Sequence, residues 1–435
     1  MSIALTIFFA AMVALGVRLP ELATAIVTLM LVIEQVAQAA IPALRGGIGS
    51  QLANYLIGVM ALLGAFLAIV RDPKCLIGFA NPSLILTVLL FGWAAVSLLW
   101  SPAMESGYEI VSWGFPYFII TLVVTPILLK DLDDLVRMNR WVLIVGLAVM
   151  LGVLLSPEFN YKGGRLFVAL GGGAASSALS IGEAGGTVLI TAALARQGFS
   201  GPLMGMIRLA AIGTGMAVAI LSGSRGQFFF AVGAAIALIP VSAPLKSPRS
   251  FIAGVVGLAI VLISAQYLMS TLLEGFAAKR FSADEMLYGS SSAAGRWRNV
   301  AILFEAWISS PTALVVGLGY NAFAGLPDPT GEPYSHVVFA DAIFELGIVG
   351  ATLLTVLMYR LVVSLRYLWE RSRSNPSHRA AVATLIALST YQTLLINKQG
   401  SLWGVPLLFL YIVVADRLAY RQRFSEEQGP EWSSP

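Results

Sequence analysis

Runs of about 20 mostly apolar residues recur along the whole chain, and this is the length at which an α-helix crosses a hydrocarbon core of about 30 Å. Of the 435 residues 58% are hydrophobic and only 11% are charged, so the chain is read as an all-α polytopic membrane protein. Twelve spans are predicted: Pro20–Ala40, Leu52–Val70, Ser83–Trp100, Ile110–Leu129, Trp141–Leu155, Leu179–Ala195, Leu203–Leu221, Gln227–Val241, Phe251–Leu273, Phe339–Val363, Ala380–Ile396 and Leu402–Ala415. Ser2–Val17 is also apolar, but it is short, has no basic start, and is separated from the first span only by Arg18-Leu19-Pro20. It reads as an interfacial or half-spanning lead-in, neither a cleaved signal peptide nor a thirteenth span.

Orientation follows from Lys and Arg, which are retained on the cytoplasmic side of short loops. Placing both termini in the cytoplasm puts 18 of the 27 basic residues there, including the runs Arg366–Arg379 and Arg417–Arg423. The net charge of +4 then reflects membrane anchoring and gives no reason to expect nucleic acid. Cys75 is the single cysteine and falls in a cytoplasmic loop, so no intramolecular disulfide can form. The resulting organisation is transmembrane helices with short loops over 1–273, a large external loop over 274–338, further spans over 339–417 and a cytoplasmic tail over 418–435, disordered after Arg423.

The external loop of 65 residues, Glu274 to Val338, is the one long connection, and loops of that length are functional or disordered. Its segment "GRWRNVAILFEAWISSP" places Trp297, Val300, Phe304 and Trp307 at spacings of three and four, which makes one apolar helical stripe suited to the lipid interface. The following "GLGYNAFAGLPDP" reads as turn and loop.

Nine basic residues lie externally against the general bias: Arg45, Lys162, Arg165, Arg225, Lys279, Arg280, Arg296, Arg298 and Lys398. Arg225 belongs to "SGSRG", a five-residue turn of small residues between two spans. Exposed N–H groups with an Arg fork beside them suit phosphate oxygens, although an arginine there can equally snorkel to lipid headgroups. Arg296 and Arg298 flank Trp297 near a helix start, where anions are favoured, and being two apart they do not share a face. Lys162 and Arg165, in "NYKGGRLF", read as surface anchors before ligands.

His336 is one of two histidines and stands just before an apolar run that carries Asp341 and Glu345. As a border residue it can simply bond a neighbouring carbonyl, and the helix macrodipole alone accounts for Asp341 in a first turn. Glu345 lies deeper, where an unpaired carboxylate is costly. A polar cavity holding His336, Glu345 and external arginines is the expected solution. No HExxH, no Cys pair and no external carboxylate cluster is present, so neither a metal nor a cofactor is expected. The glycines Gly171–Gly173 lack the Gly-Lys-Ser/Thr of a Walker loop.

"SGSRG" (Ser222–Gly226), "GLGYNAF" (Gly317–Phe323) and "SHVVFADAIFELGIVG" (Ser335–Gly350), in that order, resemble the bacterial O-antigen ligase and polymerase superfamily over roughly the C-terminal half. Val337 stands where that family frequently has Asn after the His. The length and the single large loop look most like the O-antigen ligases. That resemblance implies a metal-independent, inverting, GT-C-like membrane glycosyltransferase with its active site facing the periplasm of the bacterial inner membrane. Its donor would be an undecaprenyl pyrophosphate-linked glycan and its acceptor the lipid A-core oligosaccharide, among membrane lipids. Arg225, one or both of Arg296 and Arg298, and His336 would be the functional residues, with Glu345, Asp341 and Arg165 in possible support. A repeat-unit polymerase or a protein O-oligosaccharyltransferase would use the same chemistry. A secondary transporter is the alternative of another class, although here the ionisable groups gather at one face and no matching halves are seen.

Overall fold

The computed structural model describes residues 2–45, 49–162, 165–168, 177–195, 201–242, 293–327, 334–398 and 400–428. Among them, seven helices are long and apolar enough to cross a membrane: Gln51–Arg71, Pro82–Trp100, Met104–Leu128, Leu132–Leu155, Pro202–Leu221, Arg225–Ser242 and Gly347–Ser374. The chain is therefore a multi-pass, helical membrane protein. Ala178–Leu194 is a shorter apolar helix, and Pro376–Leu395 and Pro406–Gln428 cover two more of the expected spans. The expected span Phe251–Leu273 and the loop residues 274–292 and 328–333 lie outside the described residues.

The helices used below are α1 (Ser2–Arg18), α2 (Pro20–Thr28), α3 (Met30–Ala40), α4 (Gly49–Arg71), α5 (Pro82–Ser97), α6 (Met104–Phe118), α7 (Leu132–Leu155), α8 (Ala178–Leu194), α9 (Pro202–Leu221), α10 (Arg225–Ser242), α11 (Ala293–Ile308), α12 (Pro311–Val316), α13 (Gly347–Arg371), α14 (Pro376–Leu395) and α15 (Pro406–Gln428). The chain divides into two compact units, one from Met1–Met60, Leu132–Gly289 and Ser372–Leu388, the other from Ala61–Asp131, Ser290–Arg371 and Ser389–Pro435.

In the first unit α7, α8, α9 and α10 pack together, with α2 against α7 and α1 against α2. Gly185 and Gly215 let α8 and α9 meet backbone to backbone, since a Cβ at Gly185 would stand 2.8 Å from the Gly215 carbonyl oxygen. Small residues at a helix crossing are how apolar spans associate when burial from water gives them no drive. The expected single span Pro20–Ala40 is instead two helices, α2 and α3, bent by 77° at Leu29. On the approach to this break the Thr24 and Thr28 hydroxyls bond back to the carbonyls of Pro20 (3.0 Å) and Thr24 (2.9 Å). The segment around "NYKGGRLF" departs from an all-helical reading, because β1 (Phe159–Lys162) pairs antiparallel with β2 (Arg165–Val168).

In the second unit α13 packs on α5 and α15, around Phe91, whose ring meets those of Phe118, Trp403 and Phe409 at 4.9–5.0 Å. Two charges buried in α15 find partners within this unit. Asp416 accepts from Ser83 N (3.1 Å), Ser364 Oγ (2.8 Å) and Arg360 Nη2 (2.7 Å), while Arg417 donates to the carbonyls of Leu129 (2.8 Å) and Cys75. The expectation of a disordered chain after Arg423 is corrected for 424–428, since α15 continues to Gln428, and residues 429–435 lie outside the described residues. Glu426 explains the extension, accepting from Arg371 Nη2 (2.6 Å) and from Tyr367 Oη (3.3 Å).

Candidate functional site

The two segments "GLGYNAF" and "SHVVFADAIFELGIVG" meet backbone to backbone in the second unit. Leu318 N–H donates to the Phe344 carbonyl (3.0 Å) and Gly319 N–H to that of Glu345 (2.9 Å). Glycine is required at Gly317 (φ +85°) and Gly347 (φ +66°), where a Cβ would overlap the Glu345 carbonyl and the Val315 carbonyl respectively. Trp100 Nε1 donates to the Gly317 carbonyl (3.2 Å) and Trp93 Nε1 to that of Leu346 (3.0 Å), fixing the joint from α5 and the turn that follows it.

The expected span Phe339–Val363 starts differently from a plain helix. Val338–Ala340 forms one α-turn, Asp341–Glu345 is π-helical, and the long helix α13 begins only at Gly347. A π-turn inserts one residue into the spiral, and such bulges concentrate at functional sites.

Glu345 is buried, and backbone N–H groups meet both of its carboxylate oxygens. Its Oε2 accepts from Asn321 N–H (2.9 Å) and its Oε1 from Phe323 N–H (3.1 Å). The carboxylate thus caps the 3-10 turn Ala322–Gly325, and Asn321 ahead of it is left-handed at φ +61°. Asn321 Nδ2 donates to Ser106 Oγ (3.0 Å), and Tyr320 N–H to Ser97 Oγ (2.9 Å).

His336 is half-buried and stands at φ +67°, one of two non-glycine residues with positive φ among the described residues. Holding such a residue there costs on the order of 1–3 kcal/mol and persists only where surrounding contacts impose it. Those contacts are visible on both sides. Ser335 Oγ accepts from Val337 N–H (3.0 Å), spanning the histidine, and donates to Asp341 Oδ1. Asp341 is buried at the head of the π-turn, with its N–H on the Val337 carbonyl (3.0 Å). Tyr334 sets its ring edge-on to the imidazole, 4.4 Å between centroids. Val338 N–H reaches the Ile396 carbonyl (3.0 Å), which brings the turn carrying Lys398 beside this loop.

The helix expected over the "GRWRNVAILFEAWI" segment is present as α11. Of the expected stripe Trp297 and Phe304 are exposed and Val300 and Trp307 half-buried, while Leu303 and Asn299 are buried. Phe304 and Trp307 touch Phe344 at 5.8 and 5.3 Å, so α11 rests on the π-turn segment. Arg296 is half-buried and Arg298 exposed, consistent with the two lying on different faces. Asn299, three residues after Arg296 and on its side of the helix, was missed at the level of sequence. Among the described residues its Oδ1 has no hydrogen-bond partner although the residue is 3% exposed. A lone Asn in an amphipathic segment gives no periodic signal, and only burial singles it out.

Arg225 is placed otherwise than expected. It is the first residue of α10, not part of the turn, which is confined to Ser222–Ser224 with Gly223 at φ +66°. It is half-buried at a helix N-terminus, among the buried Ser222, Ser224 and Gln227. Arg165 opens β2, exposed and paired in register with Lys162. Both arginines belong to the first unit, whereas His336, Asp341, Glu345, Arg296 and Arg298 belong to the second. Chemically, the second unit offers an imidazole on a stiffened loop, a guanidinium at the start of a supporting helix, and a buried carboxylate behind each turn. No family model matches the chain, and no curated protein matches it significantly.

Proposed function

We propose that this protein is a membrane glycosyltransferase of the O-antigen ligase type, with twelve spans and a large external loop. It would move a polysaccharide from undecaprenyl pyrophosphate to the lipid A-core oligosaccharide at the periplasmic face of the inner membrane. The observation that carries the reading is the junction of the two quoted segments, with His336 held left-handed at its edge and α11 resting its Phe304 and Trp307 on Phe344.

The chemistry fits these groups. A sugar pyrophosphate already has a good leaving group, so catalysis consists of alignment and stabilisation of developing charge. The acceptor hydroxyl oxygen attacks the anomeric carbon from the face opposite the pyrophosphate, which inverts that centre. The bond from the anomeric carbon to the pyrophosphate oxygen breaks, and its electron pair leaves on that oxygen. The His336 imidazole takes the hydroxyl proton. Arg296, with Arg298 as a further candidate, meets the growing negative charge, which a guanidinium does bidentately at any physiological pH.

The test is purified protein in lipid with an undecaprenyl pyrophosphate-linked glycan and, separately, lipid A-core, a growing glycan and a peptide acceptor, with products identified by mass. Transfer to lipid A-core, lost by a factor of 10²–10⁴ in His336→Gln, is expected. Product on a growing glycan or a peptide alone would assign the polymerase or protein-modifying reading instead. A secondary transporter is favoured by one observation, the 77° bend between α2 and α3, with Glu34 accepting from Asn54 Nδ2 (2.6 Å) and Gln38 Nε2 (2.9 Å) beside it. Broken helices with ionisable groups mark transport sites. Solute flux in proteoliposomes without any glycosyl transfer would establish that reading.

A further inference from the structure

We infer that Ser335 and Asp341 form a clasp whose task is to hold the His336 backbone left-handed, and with it the imidazole in its working direction. The inference rests on the glycosyltransferase reading for what His336 does, but not for how it is held.

The geometry is specific to that task. Ser335 and Val337 are the chain neighbours of His336, and one hydroxyl joins them, Ser335 Oγ receiving the Val337 N–H at 3.0 Å. A Ser side chain that bonds the N–H two residues on closes a small turn around the residue between. The same hydroxyl donates its proton to Asp341 Oδ1, so its orientation is fixed by a buried carboxylate. Asp341 N–H bonds the Val337 carbonyl at 3.0 Å, and its own carbonyl accepts from Leu346 N–H at 3.2 Å across the π-turn. The loop is thus tied at Ser335 and at Val337 to a residue that is itself anchored five residues on.

A helix cap does not explain this arrangement. The Val337 N-cap makes no side-chain cap bond to the turn that begins at Val338, so the Ser335–Asp341 bond serves the residues before the helix. Gly is the residue that adopts positive φ without strain. Finding His there, with a serine and a carboxylate enforcing it, indicates that the imidazole itself is needed at that position. Both residues act through His336 and are positioning residues.

The experiment has two independent readouts. His336 and His378 are the only histidines, so His378→Asn leaves a single imidazole for NMR of ring-labelled protein in nanodiscs. In that background Ser335→Ala and Asp341→Ala are expected to shift and broaden the His336 signal, whereas Ser335→Thr and Asp341→Asn, which keep the hydroxyl and an acceptor oxygen, leave it near wild type. An unchanged signal in both alanine variants would overturn the clasp, whatever the enzyme does. Should Asp341→Ala fail to fold, Ser335→Ala decides alone.

For transfer, the alanine variants are expected to lower kcat by roughly 10–100-fold with KM within about threefold, since misplacement by about 1 Å has effects of that size. In a His336→Gln background Ser335→Ala should add less than about twofold, because residues acting as a unit are non-additive. A full additive loss there would mean that Ser335 supports the fold and not the histidine. Absence of transfer by the wild type would defeat the glycosyltransferase reading and leave the NMR result to decide the clasp.

Discussion

Replacing Glu345 separates a structural carboxylate from a reacting one. Its two oxygens each accept one backbone N–H, at 2.9 Å from Asn321 and 3.1 Å from Phe323, and the side chain is buried. Hydrogen bonds to a charged group contribute about 1.5–3 kcal/mol each, and the donors left behind in Glu345→Ala have no water to turn to. That variant should therefore lose roughly 3–6 kcal/mol. Glu345→Gln keeps one carbonyl acceptor but turns an amide N–H donor on the other backbone donor, for a loss of roughly 1.5–3 kcal/mol. At about 2–4 °C per kcal/mol for a unit of some 200 residues, the expected fall in Tm is roughly 6–24 °C for Ala and roughly half that for Gln. The assay is intrinsic tryptophan fluorescence against temperature in detergent, with glycosyl transfer measured on the surviving fold. The reasoning is refuted by a Glu345→Ala protein that melts within about 2 °C of wild type. It is refuted in another way if Glu345→Gln melts normally but turns over as slowly as His336→Gln, which would make the carboxylate a participant in the chemistry.

Gly317→Ala should be more damaging than any surface change, because its Cβ would overlap the Glu345 carbonyl at a positive φ; yield of monodisperse protein on size exclusion measures this, and near-normal yield would contradict the packing described. Arg296→Ala is expected to reduce transfer by about 10²-fold, the scale of one lost charge-stabilising donor, whereas Arg298→Ala, exposed on another face, should stay within about threefold; the reverse order in kcat/KM would reassign the pair. Cysteines at the exposed Ser309 and Ser374 should react with a membrane-impermeant thiol reagent from opposite sides, Ser309→Cys from the periplasm and Ser374→Cys only after the inner membrane is opened, with the native Cys75 buried and silent; reversed labelling would remove the orientation. Transfer should survive EDTA, and loss restored by Mg²⁺ or Mn²⁺ would reveal a metal requirement.

Residue type and period alone determined that this chain crosses a membrane many times in helices. Apolar stretches as long as Pro82–Trp100 or Pro202–Leu221 have no other way to satisfy their backbone in lipid. The amphipathic α11 was legible for the same reason, since a 3.6-residue period survives without knowing its neighbours. What the tertiary structure decided were the places where a segment's fate depends on a partner distant in sequence. Pro20–Ala40 reads as one span, yet it bends by 77° with no Pro or Gly at the break, so the apolar run alone gives no sign of it. Arg225 reads as part of a turn, yet begins α10, since a boundary between small residues shifts by a residue or two with little change in local preference. Glu345 reads as a carboxylate in search of an arginine. It is met by two backbone N–H groups more than twenty residues upstream, a pairing that exists only once the glycines of "GLGYNAF" allow the two stretches of chain to touch. His336 was conspicuous as an ionisable group at an apolar border, but its left-handed backbone was not, because φ is imposed there by Ser335 and Asp341 and not by any preference of histidine itself.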